Sequence, residues 1–151
     1  MPGYIPSNYH AVTPYLIVDD AAAALEFYHR VLNAKEQVRM PGPNGKIAHA
    51  EILVGDSHVM LADEAPQIGA YGPKHFNGSP VTLMVYVPDV DATYRTALAA
   101  GAVSEREPAD QFYGDRTAGV KDPFGHKWYF ATHVRDVTPE EMKAAMAKSA
   151  S

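Results

Sequence analysis

The chain has 151 residues, a net charge of −5 at pH 7 and no cysteine. This length suits one domain with a sizeable core. Without clustered Lys and Arg, nucleic acid is a poor candidate partner, and without cysteine the chain cannot form disulfides, thiolate nucleophiles or zinc–thiolate sites. No segment has membrane length or the pattern of a secretion signal, so we expect a cytoplasmic protein without membrane contact.

The first half of the chain predicts a strand, a helix and three further strands. Asp20 suits the N-cap of the helix, which shows apolar residues at three-to-four spacing. Asn44-Gly45 favours a hairpin, because both residues tolerate positive φ. The predicted elements lie at 11–18, 20–33, 35–40, 46–54 and 57–62.

A segment of about 64–80 follows, rich in proline and glycine and without clear periodicity. Such a segment is a linker between two halves. It could be a lid over a binding site or a plain surface crossover.

The second half repeats the first. Val18 corresponds to Val87 and Asp20 to Asp89 at a shift of 69 residues. Gly101 suits the end of the second helix, and Thr138 begins a capping box for a C-terminal helix. The predicted elements lie at 81–87, 89–100, 103–107, 116–121, 126–132 and 138–148.

This order predicts an α+β fold in which two tandem βαβββ modules form a curved mixed sheet around a cavity. The modules span about 10–63 and 81–133, and the whole chain, 1–151, is one domain. Sheet edges and a cavity rim that a second copy could cover predict a homodimer.

His49 and Glu51 are two residues apart on the predicted strand 46–54, so they share one face. That face is opposite the apolar one and should line the cavity. Glu51 could orient His49 as a general base for proton removal next to a carbonyl. The pair could instead hold a metal if His58 reached it, or could be a structural hydrogen-bonded pair.

Several stretches, taken in order, resemble the vicinal-oxygen-chelate superfamily of glyoxalases, bleomycin-resistance proteins and dioxygenases, and within it the PhnB-like branch, also labelled 3-demethylubiquinone methyltransferase-like. The stretches are Thr13-Pro14-Tyr15-Leu16-Ile17-Val18-Asp19-Asp20, Phe27-Tyr28, Gly45-Lys46-Ile47-Ala48-His49-Ala50-Glu51, Met60-Leu61-Ala62-Asp63-Glu64, Gln111-Phe112-Tyr113-Gly114-Asp115-Arg116 and Asp122-Pro123-Phe124-Gly125-His126.

The resemblance implies that the first and last strands of each module supply His, Glu or Gln ligands to a divalent metal. The corresponding residues here are Thr13, Thr82, Tyr129 and a position near Met60. Neutral hydroxyls and a thioether bind such an ion poorly, so we expect no metal or other cofactor. His10, three residues before Thr13, should point to the opposite strand face.

The same positions predict an apolar cavity with a few hydroxyl groups, which suits a neutral or aromatic organic ligand. In the second module, Arg116 could clamp a ligand anion or pair with Asp115 to fix the loop, and Tyr113 could stack or hydrogen-bond. The predicted ligand-binding residues are Thr13, Tyr15, His58, Met60, Thr82, Met84, Tyr113, Arg116 and Tyr129.

The sequence therefore favours a protein that encloses a small organic molecule and sequesters it. The alternative is a glyoxalase-like lyase or isomerase that uses His49 and Glu51, with or without a metal. Methyl transfer is disfavoured because no glycine-rich loop follows a strand with an acidic residue for a nucleotide ribose. Pairing of the modules within one chain and exchange across a dimer both remain open.

Overall fold

The computed structural model describes residues 2–150, so Met1 and Ser151 of the predicted domain lie outside the described residues. It contains two four-stranded sheets and three α-helices. In chain order the elements are β1 (Tyr15–Val18), α1 (Ala21–Leu32), β2 (Lys35–Pro41), β3 (Ile47–Val54), β4 (Ser57–Asp63), β5 (Thr82–Tyr86), α2 (Val90–Ala99), β6 (Val103–Asp110), β7 (Asp115–Lys121), β8 (Lys127–His133) and α3 (Pro139–Ser149). None of the helices within this range is long and apolar enough to cross a membrane.

The two sheets have the same topology. Sheet one has the order β1-β4-β3-β2 and sheet two the order β5-β8-β7-β6, with one parallel pair and two antiparallel pairs in each. The predicted α+β fold with two tandem βαβββ modules is therefore confirmed. Equal topology also makes the residues of the two modules equivalent position by position.

Local signals in the sequence explain where the helices begin and end. The Asp20 carboxylate accepts a hydrogen bond from the Ala23 amide, and Asp89 does the same for Ala92. Thr138 caps α3 through the Glu141 amide. Each bond satisfies one of the amide groups that a first helical turn leaves without a partner.

One face of the strand β3 differs from the alternation that the sequence predicts. Ile47 is buried and Ala48 is exposed, although strict alternation along the strand would place Ala48 on the same face as the buried Ala50. The register between β2 and β3 shifts between Met40 and Pro41. A bulge reverses the side-chain alternation beyond it.

The core lies on the helix side of both sheets and joins the two modules. Tyr28 of α1 packs against Trp128 of β8, with 5.3 Å between ring centroids, and its hydroxyl donates to Asp122 at 2.5 Å. Phe27 meets Phe124 edge to face. Because module one supplies Tyr28 and Phe27 and module two the other three residues, these contacts fix the two halves together.

The sheet faces turned away from the helices remain open. We call them open face one (Tyr15, His49, Glu51, His58 and Met60) and open face two (Thr82, Met84, Tyr86, Gly119 and Tyr129). Tyr15 is 48% exposed and Met84 49%. The cross-module contacts described above lie on the helix side, so neither open face covers the other.

The linker packs along the end of β1. The Gly72 amide donates to the carboxylate of Glu64, and a Cβ at Gly72 would come within 2.9 Å of the Ile17 carbonyl oxygen. Lys74 forms an ion pair with Asp19 at 2.7 Å. The linker therefore packs against module one, and its Pro73 also lies against Gly125 of module two.

Candidate ligand-binding faces

Three side chains of open face one form a hydrogen-bonded line. The Tyr15 hydroxyl lies 2.8 Å from Nδ1 of His49, and Nε2 of His49 lies 2.8 Å from a carboxylate oxygen of Glu51. The side chains of His49 and Glu51 are 21% and 16% exposed. The line therefore runs from a shielded carboxylate to a hydroxyl that reaches solvent.

The partners fix the direction of the hydrogen bonds. In the tautomer of neutral His49 that donates from Nε2 to the Glu51 carboxylate, Nδ1 accepts from the Tyr15 hydroxyl. Burial raises the pKa of Tyr15, so its hydroxyl stays protonated at neutral pH. Both nitrogens of His49 are thus occupied, and the predicted direct base role for His49 requires that Tyr15 first move away.

The N-terminal segment covers part of open face one. The Tyr9 ring stacks on His58, with centroids 3.9 Å apart and planes within 13°. His58 is 9% exposed, and its Nδ1 has no hydrogen-bond partner in the described chain. Beside this stack lies a cavity of about 490 Å³, lined by Tyr4, Ile5, Pro6, Tyr9, His10, Ala11, Thr13, Glu51 and Met60.

This cavity brings together Thr13 and Met60, which the sequence predicts to bind a ligand, and Glu51, which it predicts to be catalytic; these roles remain predictions. His10 lies at the cavity and bonds the Asp56 carbonyl oxygen at 3.0 Å through its Nε2. Thr13 lies before β1 rather than within it, since β1 begins at Tyr15. No residue of module two contributes to this cavity.

Open face two has a different chemistry. The strand pairs make Met84 equivalent to Tyr15, and Tyr129 equivalent to Met60. They also make Gly119 equivalent to Glu51. The line of acid–base groups is therefore not repeated here, and an aromatic ring takes the middle of the face.

The residues at the family's ligand positions do not fit a divalent metal. Thr13 and Thr82 offer neutral hydroxyls, while the equivalent residues Met60 and Tyr129 offer a thioether and a phenol. Such groups replace water poorly around a hard or borderline cation. Within residues 2–150, no group of three or more His, Asp or Glu side chains is arranged to hold an ion.

Arg116 does not lie with the other predicted ligand-binding residues. Arg116 is two residues from the buried Ala118, so the two side chains share the face of β7 that is turned toward the helices. Its guanidinium binds both carboxylate oxygens of Asp91, at 2.7 and 3.0 Å, and one oxygen of Asp110 at 3.1 Å. These partners, rather than Asp115, hold Arg116, and they leave it no free fork for a ligand.

Tyr113 lies in the turn before β7. It is half-buried and meets Phe112 edge to face at 5.3 Å. Tyr113 does not line the cavity of open face one, whose walls come only from module one and the N-terminal segment.

A second polar network lies at the end of sheet two, and the sequence analysis did not predict it. Asp115 accepts from the Tyr86 hydroxyl at 2.8 Å and pairs with Nδ1 of His133 at 2.7 Å. Nε2 of His133 reaches Asp136 at 2.8 Å. Hydrogen bonds to Asp136 and Asp115 raise the pKa of His133, and the hydrogen bond with His133 lowers the pKa of Asp115.

Comparison with known proteins agrees with the fold. Residues 9–130 match the family model described as Glyoxalase/Bleomycin resistance protein/Dioxygenase superfamily. The uncharacterized protein Rv0887c of Mycobacterium tuberculosis is 44% identical over 140 residues, which cover 91% of this chain and 82% of that protein. The uncharacterized protein Mb0911c of Mycobacterium bovis has the same identity over 91% of this chain and 92% of its own length.

Solved structures show the same similarity. TioX from Micromonospora sp. ML1 is 27% identical with a TM-score of 0.65, covering 83% of this chain and 99% of TioX. A glyoxalase/bleomycin resistance protein/dioxygenase family enzyme from Burkholderia phytofirmans PsJN is 19% identical with a TM-score of 0.65, covering 81% and 97%. At that identity the second likeness concerns the fold alone.

Proposed function

Because the chain belongs to the Glyoxalase/Bleomycin resistance protein/Dioxygenase superfamily, we propose that it is a cytoplasmic, PhnB-like member that binds and sequesters a small organic molecule without a metal ion. The observation that carries this proposal is the cavity on open face one. Its walls combine apolar groups with Thr13 and Glu51, and the ligand positions hold a hydroxyl and a thioether. Such walls suit an organic molecule with one or two polar atoms.

The proposal includes a homodimer that completes the site. Tyr15 and Met84 are each about half exposed on separate open faces. The cavity is lined by module one and the N-terminal segment, without residues of module two. A second copy that places its open face two over open face one would bury both residues. We expect a dimer mass in light scattering after gel filtration, and a monomer at micromolar concentration would contradict this part of the proposal.

Binding is tested with benzamide, a neutral flat probe, by calorimetry on chelator-treated protein. We expect saturable binding that weakens in Glu51→Gln and His49→Gln, because the first change removes the charge of the line and the second removes its imidazole. His75→Gln is the matched control, since His75 lies on the linker and stacks on Tyr71 at 3.8 Å. Equal affinity in all four proteins would place the binding site elsewhere.

A second candidate function is proton transfer, as in a lyase or isomerase, and the line from Glu51 to Tyr15 favours it. The Tyr15 oxygen could take a proton from a carbon next to a substrate carbonyl while the Tyr15 hydroxyl proton passes to Nδ1 of His49. Glu51 would stabilise the imidazolium that forms, and the reverse transfer would return a proton from Tyr15 to the substrate. In this scheme Tyr15 is the residue that contacts the substrate, and His49 exchanges protons only with Tyr15.

Turnover of the methylglyoxal–glutathione adduct, followed by absorbance with and without chelator, separates the two functions. Activity that survives chelator and is lost in Tyr15→Phe would favour proton transfer. Activity that disappears with chelator would contradict the metal-free proposal. No turnover together with benzamide binding supports sequestration.

A further inference from the structure

Open face two contains an arginine, Arg106, that has no ion-pair partner among the described residues. Arg106 of β6 is exposed, and no carboxylate or carbonyl among residues 2–150 accepts from its guanidinium. The guanidinium carbon lies 5.7 Å from the ring centroid of Tyr129. This distance is within the range of a cation–π contact.

The position of Tyr129 depends on a glycine. A Cβ at Gly119 would come within 2.6 Å of the Tyr129 ring and 3.6 Å of the Arg106 side chain. Gly119 pairs with Arg106 on one side and with Tyr129 on the other. Glycine weakens a strand interior and often marks a close approach, and here it lets the ring lie across β7 toward the cation.

We infer that Tyr129 and Arg106 form a binding site for the carboxylate group of a flat organic acid. The ring supplies an apolar surface, and the guanidinium supplies a planar fork of N–H donors, which matches a carboxylate with two parallel hydrogen bonds. The equivalent positions of module one are Met60, Glu51 and Val38. That face carries a carboxylate where face two has none, so an anion is favoured on face two alone.

This inference rests on the proposed function and adds to it the charge of the ligand. In the proposed dimer, the acid would bind to Arg106 of one chain while its other end meets the Tyr15 hydroxyl of the second copy. The net charge of −5 opposes anion binding over the surface as a whole, so an anion needs a local cation such as Arg106 to bind.

The test is a titration with sodium benzoate, with benzamide as the neutral probe of the same shape and inorganic phosphate as an anion without a flat body. We expect benzoate to bind the wild type about tenfold more tightly than benzamide, as one charge-assisted bidentate contact allows. Arg106→Gln should remove that difference while benzamide binding persists. Gly119→Ala should weaken both probes, because the ring must move.

Arg95→Gln is the matched control, since it removes the same charge from an exposed residue on α2, on the helix side of sheet two. It should leave benzoate affinity unchanged. Arg106→Lys should restore only part of the affinity, because ammonium lacks the planar fork.

Four results would overturn the inference. These are equal affinities for benzoate and benzamide in the wild type, an unchanged benzoate affinity in Arg106→Gln, full competition by phosphate, or a change in dimer mass as the only effect of Arg106→Gln. Benzamide binding in the same titrations decides separately whether the proposed function stands. A wild type that binds benzamide but shows no preference for benzoate therefore refutes the anion site alone.

Discussion

Asp122 is the buried carboxylate that joins the two modules, and Asp122→Ala is the substitution that we expect to destabilise the fold most clearly. Asp122 is 3% exposed. One oxygen accepts from the Tyr28 hydroxyl at 2.5 Å and from the indole N–H of Trp128 at 2.9 Å. The other accepts from the amides of Phe124 and His126 at 3.0 and 2.9 Å.

The magnitude follows from the donors that alanine leaves without a partner. Tyr28 and Trp128 are buried, and an unpaired buried donor costs about 1–3 kcal/mol. Release of the buried carboxylate offsets part of this cost, so we expect a loss of about 3 kcal/mol in the free energy of unfolding. For a chain of this length that corresponds to roughly 6–12 °C in melting temperature.

Tyr28→Phe is the matched control. It removes one of the four donors and keeps the ring that packs on Trp128, so we expect a loss of only about 1 kcal/mol. Calorimetric melting of the three proteins measures both effects. Trp128 is the only tryptophan, and its emission should move to longer wavelength in Asp122→Ala. An Asp122→Ala protein that melts no lower than Tyr28→Phe would refute the conclusion that the Asp122 carboxylate holds the two modules together.

Two further predictions concern the second module. Gly114→Ala should lose more stability than Gly45→Ala. Both glycines have positive φ, but a Cβ at Gly114 would also collide with the Arg135 carbonyl. Chemical denaturation measures both free energies of unfolding, and equal losses would contradict the collision. A hydrogen bond to Asp136 raises the pKa of His133 above its usual 6.5, so the stability that this group contributes is complete below that pH and is lost as the pH rises through the folded-state pKa. His133→Gln should flatten this part of the stability profile above pH 6.5, and an unchanged slope would contradict the pairing.

The sequence predicts the helices and their limits well because the signals are local. Asp20 and Thr138 cap helices through amides three residues away, a relation that the sequence displays directly. The duplicated pattern likewise predicts two equal modules, since each repeat buries the same faces.

The sequence predicts the site less completely because its contacts join distant strands. The spacing of His49 and Glu51 shows that these two side chains share a face. The hydrogen bond between Tyr15 and His49 cannot be predicted in this way, because it depends on the strand order β1-β4-β3. Arg116 shows the same limit, because its partner Asp91 belongs to α2. A glycine inside the strand pattern at Gly119 is the one signal in the sequence that could have indicated the ring of Tyr129.

The most direct test of metal-free binding on the open faces uses methionine methyl groups labelled with carbon-13. Met60 and Met84 lie on open faces one and two, whereas Met142 and Met146 lie on α3. Adding benzamide to chelator-treated protein should move the methyl resonances of Met60 and Met84 and leave those of Met142 and Met146 in place. Resonances of Met60 and Met84 that stay fixed, or that move only after a divalent metal is added, would contradict the account.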